Sequence, residues 1–276
     1  MQDSECVVFL QWALPQMRLH WPGFRKVRQQ VCKRIDRRRR ALGLADSAAY
    51  QGYLEAHPAE WGALRVLCSI SISRFYRDRR VFACLERSVL PRLAAIAAER
   101  PAPALACWSA GCASGEEAYT LSILWWLGLA KRYPGLAFRV FATDTDPVAI
   151  ERAKAACYGA SSLKELPDEW RLQAFERRND EYRLAERFRA SVEFAQQDIR
   201  AAVPDRRFDL ILCRNLVLTY FEPQLQRETM QRIVATLRPG GALVVGIHEC
   251  LPEAVEGLAP WPTSNAVFRK HQDAGD

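Results

Sequence analysis

From about residue 104 onward, short apolar runs alternate with amphipathic stretches, and this rhythm admits few architectures. LACWS (105–109), FRVFAT (138–143), SVEFAQQD (191–198), FDLILC (208–213) and GALVVGIH (241–248) read as strands. GEEAYTLSILWWLGLAKRY, DPVAIERAKAA and PQLQRETMQRIVATL read as the intervening helices, and NAVFRK (265–270) as a short terminal strand. Strands and helices in alternation imply a mostly parallel sheet covered by helices on both faces. The expected fold class is α/β, Rossmann-like. The charge-rich stretch after Tyr158 breaks the rhythm and reads as a small inserted subdomain, 158–190, in part a hairpin.

Residues 1–98 read differently, as an all-helical N-terminal domain. Asp46 or Ser47 would cap a helix over AAYQGYLEAH, and Leu85, Val89, Leu90 and Leu93 would face a core. The ERPAPA stretch, Glu99 to Ala104, is the expected linker to a second domain spanning 99–276. Hydrophobic residues make up 49% of the chain, enough to build a core in each part and to exclude wholesale disorder.

The net charge of +7 is concentrated. Between Arg25 and Arg40 nine Lys/Arg face one acid, Asp36. Such a segment predicts an acidic partner or, alternatively, a solvated helix face. No base-reading or single-strand stacking module accompanies it, so an acidic protein surface ranks above nucleic acid. The nine cysteines form no CxxC pair and no ligand spacing, so no metal site is expected and free thiols in a reducing cytoplasm are. The most apolar run, Leu121 to Ala130, is much shorter than a bilayer span, which argues against membrane insertion.

The chemistry concentrates at strand ends. Ser109-Ala110-Gly111-Cys112-Ala113-Ser114-Gly115-Glu116-Glu117 follows a strand and opens a helix, where open α/β sheets bind ligands. Small residues such as Ala110 and Gly111 let the backbone approach a ligand closely. A phosphate loop would leave the positive helix end free. Here two glutamates occupy it, which suits a cationic ligand; a plain strand-to-helix turn is the alternative. Asp144, closing the strand FRVFAT, can accept from both hydroxyls of a ribose or act as a cap. Asp146 would cap the next helix, with Pro147 at its first position. Asp198 would meet an adenine edge or be an ordinary loop acid. CRNLVLTYFEP, Cys213 to Pro223, gathers Arg214, Asn215, Thr219 and Tyr220 after a central strand. His248 stands near a strand end, either as a base for a hydroxyl or amine acceptor or as a structural histidine.

WSAGCASGEEAYT, FATDTD, CRNLVLTYF and LRPGGALVVGIHE, in that order, resemble the CheR-type methyltransferases. The resemblance covers nearly the whole chain, including a basic helical N-terminal domain. It implies the class I methyltransferase fold with a seven-stranded, mostly parallel sheet. It also implies S-adenosylmethionine as cofactor, S-adenosylhomocysteine as product, and glutamate side chains of chemotaxis receptors as acceptors. Carried over by motif, Ala110 and Glu116 would line the methionine moiety. Asp144 would hold the ribose, Asp198 and Ile199 the adenine, and Asn215 and Leu216 the inner wall. Arg77, in RFYRD, and Tyr220 would act at the reaction centre. Ser71 and Ser73 fall where the family offers Thr-Asn-x-Thr, so two polar contacts to the cofactor are shortened or lost. Asn215 and Tyr220 are one residue further apart than the family spacing, and Gly246-Ile247-His248-Glu249 replaces Gly-His-Ser-Glu. Two other readings remain open: a methyltransferase of this lineage with a different protein or small-molecule acceptor, and a non-catalytic cofactor-binding module. The oligomeric state is left open as well.

Overall fold

The computed structural model describes residues 2–70 and 73–272. Ten strands are present: β1 (Ala104–Ala110), β2 (Ala137–Asp144), β3 (Cys157–Gly159), β4 (Phe175–Arg178), β5 (Glu181–Leu184), β6 (Val192–Gln196), β7 (Phe208–Leu212), β8 (Leu237–Val244), β9 (Leu258–Trp261) and β10 (Ser264–Lys270). Seven of them form one sheet in the order β6-β2-β1-β7-β8-β10-β9. The first five run parallel, and β10 and β9 close the edge antiparallel. This is the class I methyltransferase fold. The chain starts in the middle at β1, moves out through β2 and β6, then crosses back to β7. That reversal opens a crevice at the carboxyl ends of β1 and β7.

The helices, in chain order, are α1 (Asp3–Gln16), α2 (Trp21–Phe24), α3 (Arg28–Ala41), α4 (Ser47–Ala56), α5 (Glu60–Cys68), α6 (Arg79–Cys84), α7 (Leu90–Ala98), α8 (Glu116–Leu124), α9 (Pro147–Ala155), α10 (Asp168–Ala174), α11 (Glu186–Arg189), α12 (Val217–Tyr220) and α13 (Pro223–Thr236). By compactness the chain divides into Met1–Ile70 with Leu216–Gln226, and Ser71–Asn215 with Arg227–Asp276. The first division thus falls after Ile70, not at the expected 98/99 linker. The reason is packing: α7 lies against β1, β7 and β8, and Leu85, Val89, Leu90 and Leu93 are buried in the sheet core. The inserted stretch contains a three-stranded antiparallel sheet, β3-β5-β4.

All five residues of β7 are buried, as expected of a central strand covered on both faces. One of them is Asp209. Its carboxylate accepts from the Ala106 amide at 2.9 Å and from Arg100 Nη2 at 2.5 Å, so the charge is paired and locks the start of β1 to β7. Asp146 caps α9 by accepting from the Val148 amide, with Pro147 at the first helical position. Asp46 does the same for α4 through Ala49. β9 was not anticipated: LAPW is four residues long and contains Pro260, which only an edge strand tolerates.

In the helical unit, Tyr50 stacks on Phe9 and donates to Glu60, which also holds Arg38 through two hydrogen bonds. Five cations of the basic segment are engaged within this unit. Arg28 pairs with Asp3, Arg34 donates to the Ser69 carbonyl, Arg38 pairs with Glu60, Arg39 pairs with Asp36 and caps the Leu44 and Ala45 carbonyls, and the exposed Arg40 also pairs with Asp36. Arg25, Lys26, Lys33, Arg37 and Arg40 are exposed, the last three at helical spacing along α3.

The expectation that all nine thiols are free is corrected at one pair. α1 and α3 bring the Cα atoms of Cys6 and Cys32 to 6.0 Å and the two form a disulfide; the other seven are free. Their separation of 26 residues spans two helices and follows no local spacing rule. Closing a loop of this size stabilises the fold by ~2–4 kcal/mol, mainly by restricting the unfolded chain. Cys32→Ser should therefore unfold at lower urea than the oxidised wild type, and a thiol reductant should erase the difference. Coincident curves without reductant would exclude the link.

Candidate active site

The turn after β1 is built from left-handed backbone. Gly111, Ala113 and Gly115 all have positive φ, at 78°, 49° and 89°. Gly115 cannot be replaced without movement: a Cβ there would lie 2.9 Å from Ala153 Cβ and 3.0 Å from the Phe194 ring. The amides of Gly111 and Cys112 donate to the Thr143 carbonyl at 2.8 and 2.9 Å. The Ala113 amide donates to Asp144 Oδ2 at 2.8 Å, while Asp144 Oδ1 accepts from the Asp146 amide at 3.0 Å. Backbone amides thus use part of the acceptor capacity of Asp144, leaving the rest for hydroxyl donors. The Asp144 carbonyl takes the Gln197 amide at 2.9 Å, which binds the loop after β6 to the same corner.

Glu116 opens α8 and is 5% exposed. Ser162 reaches its Oε1 at 3.4 Å, and the Ser73 hydroxyl also hydrogen-bonds the carboxylate. Oε2 is buried without a partner. Burial pushes the Glu116 carboxyl up from its ordinary value, and burial does the same to Asp144. An orphaned carboxylate oxygen beside a glycine-lined turn fits a ligand carrying an ammonium group. Small residues leave room for it. Ala110 and Gly111 sit at the mouth of the turn, as the sequence leads one to expect.

Asn215 follows β7 by three residues and has φ at 53°. Its amide and that of Gly246, at the end of β8, both donate to Glu249 Oε2, at 2.9 and 2.6 Å. A Cβ on Gly246 would fall 2.6 Å from Asn215 Nδ2, so Gly246 is what admits that side chain. The role of Glu249 as a clasp between two strand ends has no sequence signal beyond its place in the Gly246–Glu249 motif. His248 is exposed on the following turn. Asp198 is placed beside β6 with its carboxylate engaged by Arg200, both through Nε at 2.9 Å and through Nη2 at 2.6 Å. Ile199 next to it is buried, and Arg232 fixes the loop by donating to the carbonyls of Ile199, Arg200 and Ala201. The Arg200 pair has no signal in composition or spacing.

Ala110, Gly111, Glu116, Asp144, Asp198, Ile199 and Asn215 therefore gather at the carboxyl ends of four neighbouring strands. Arg77 lies in the same unit, between Tyr76, whose amide donates to Thr120 Oγ1 of α8 at 3.0 Å, and Asp78. Leu216 and Tyr220 belong to the helical unit, where Tyr220 packs its ring 5.0 Å from Phe24 and its carbonyl accepts from the His20 amide. Ser71 lies outside the described residues. A separate cavity of about 490 Å³, lined by Trp126, Arg139, Phe141, Arg206 and Phe208 among others, opens toward the amino ends of the parallel strands and contains none of the expected residues.

The raised carboxyls have a consequence for stability. Native Glu116 holds its proton to higher pH than the unfolded chain does, so between those two values folding takes up a proton. Its penalty is absent at low pH, sets in as pH rises through this window, and is fully present above it. Glu116→Gln removes the charge. In ligand-free protein this variant should gain thermal stability relative to wild type at neutral pH, and the gain should vanish as pH falls toward 4.5, the ordinary value. A gain independent of pH would contradict the assignment.

The family described as "CheR methyltransferase, SAM binding domain" matches residues 71–266. A chemotaxis protein methyltransferase of Listeria monocytogenes is 35% identical over 194 residues, 70% of this chain and 71% of that protein. One from Salmonella typhimurium is 33% identical over 233 residues, 80% of this chain and 76% of that protein. An uncharacterised 104.1 kDa protein of Rhodobacter capsulatus is 35% identical over 241 residues, which are 87% of this chain and 25% of that one, so the chain spans about a quarter of this relative. With strand order, glycine turn and family match in agreement, the chain belongs to the CheR methyltransferase family and is an S-adenosylmethionine-dependent methyltransferase.

Proposed function

We propose that the chain O-methylates glutamate carboxylates of chemotaxis receptors, on the cytoplasmic side, and that the residues gathered at the strand ends hold the cofactor. The observation that carries the cofactor part is the buried, partnerless Oε2 of Glu116 beside the glycine turn. In this reading Glu116, with Ser73 and Ser71 nearby in sequence to the reaction centre, receives the methionine ammonium, and Ala110 and Gly111 let the chain close on the methionine moiety. Asp144 accepts from the ribose hydroxyls. Asp198 and Ile199 border the adenine, with Asp198 sharing its carboxylate between Arg200 and the ligand. Asn215 and Leu216 form the inner wall.

S-adenosylmethionine supplies a methyl carbon already activated by the adjacent positive sulfur. The chain's task is then alignment and exclusion of water, which in favourable intramolecular cases lowers barriers by about 7–11 kcal/mol. A glutamate acceptor is ionised at neutral pH, so it needs no base. Arg77 orients it: a planar guanidinium holds one carboxylate edge and leaves a lone pair for the methyl carbon. Tyr220 is the second reaction-centre group by its place in CRNLVLTYF. The exposed cations Lys33 and Arg37 on α3 supply the complement to an acidic receptor surface.

Radiolabelled methyl transfer to a glutamate-bearing receptor fragment tests this directly. The label should be released by mild alkali, as a methyl ester is. Label stable to alkali would move the acceptor to another class, the outcome that the Ile70 to Ser73 departure would then explain. Arg77→Ala should cut turnover roughly a hundredfold while S-adenosylhomocysteine affinity stays the same. Glu116→Gln should do the reverse to first order, weakening that affinity about ten- to a hundredfold, the loss of a charged hydrogen bond. Calorimetry reads both, and unchanged affinity in Glu116→Gln would remove this residue from the cofactor site.

A further inference from the structure

We propose that Asp78 and Arg214 are a positioning pair for the reaction, holding the backbone on either side of Arg77 in a conformation it would not keep alone. The inference rests on the reading that Arg77 acts on the acceptor. Tyr76 and Asp78, which flank Arg77, both lie in left-handed backbone, with φ of 59° and 64°. Neither is glycine, so the turn is unfavourable by itself and persists only where its surroundings fix it.

Four contacts from three neighbours fix it. The Phe75 amide donates to the Ser162 carbonyl at 3.0 Å, and the Tyr76 amide donates to Thr120 Oγ1. Thr120 in turn donates to the Glu116 carbonyl at 2.6 Å, so the turn is pinned to the first turn of α8. The remaining two contacts come from one side chain. Arg214 Nη2 donates to the Arg77 carbonyl at 3.2 Å and to Asp78 Oδ2 at 2.5 Å. Its Nη1 donates to Glu117 Oε2 at 3.0 Å, and Glu117 Oε1 accepts from Ser109 Oγ at 2.8 Å. The guanidinium also lies over the Phe82 ring at 5.4 Å.

Ser109, Glu117, Arg214 and Asp78 therefore form one polar chain. It links the end of β1, the start of α8, the end of β7 and the turn that carries Arg77. The Arg214 side chain is only 4% exposed. A buried ion pair is a poor device for stability, since desolvation offsets much of its attraction. It is a good device for direction, because a planar fork bonded on two sides has one orientation. The fork ties the acceptor-binding turn to the same helix start that carries Glu116. What it contributes is registry between the two halves of the reaction.

Asp78→Asn isolates this role. Asn tolerates left-handed backbone as Asp does and keeps the shape, while the charge is lost. Turnover should fall about tenfold with S-adenosylhomocysteine affinity nearly unchanged, while the loss of one partner of buried Arg214 lowers the unfolding midpoint. The decisive measurement is a double-mutant cycle with Arg77→Ala, or with Arg77→Lys if the alanine variant turns over too slowly to follow. If Asp78 acts through Arg77, Asp78→Asn costs nothing further once Arg77 is gone, and little once it is lysine. Equal losses in both backgrounds, or full turnover in Asp78→Asn, would overturn the proposal. Arg214→Lys, which keeps the charge but not the fork, should reproduce the loss and serves if Asp78→Asn folds poorly. Full activity of Arg77→Ala alone would instead overturn the underlying reading of Arg77.

Discussion

Three backbone amides at the end of β1 reach across to the end of β2, two to the Thr143 carbonyl and one to the Asp144 carboxylate. Everything at the site depends on this crossing. It forces the left-handed steps at Gly111, Ala113 and Gly115, and these aim α8 so that Glu116 enters the crevice as its first helical residue. It also sets Asp144, whose carboxylate holds the turn through the Ala113 amide. The cost is two desolvated carboxyls within one corner of the fold. Such a cost persists where a bound partner can relieve it.

Much of this was legible beforehand because the signals are local. A strand followed by a glycine turn and a helix needs no long-range information, and neither does Asp146 before Pro147. The parallel sheet followed from alternation alone. Less legible were features that depend on residues far apart in sequence. Asp198 is the local exception: it reads as a ligand acid, yet Arg200, two residues on, takes a share of its carboxylate, which spacing alone does not signal. Glu249 clasps Asn215 and Gly246 from beyond a turn, and Cys6 finds Cys32 only because two helices pack. β9 escaped because Pro260 argues against a strand everywhere except at an edge.

The arginine-rich segment shows why counting charges overstates a binding face. Arg28, Arg34, Arg38 and Arg39 are used to hold α3 to its own unit, through carboxylates and through carbonyls that a helix end leaves open. The field available to a partner comes from what is left on the outer side. Lys33 and Arg37, one helical turn apart, give it a direction along one helix, which a sequence tally cannot do.

Val217, Phe221 and Leu225 are buried, and the stretch that carries them, 216–226, belongs with the N-terminal helices although it is threaded between β7 and β8. Its Phe221 pairs with Leu19 as an isolated antiparallel bridge, and Arg18 anchors Glu222. The helical unit is consequently no detachable appendage. A chain shortened to begin after residue 70 would strip this apolar stretch of Leu19 beside Phe221 and of Phe24 beside Tyr220. Evolution could exchange the two units only by changing both places at once.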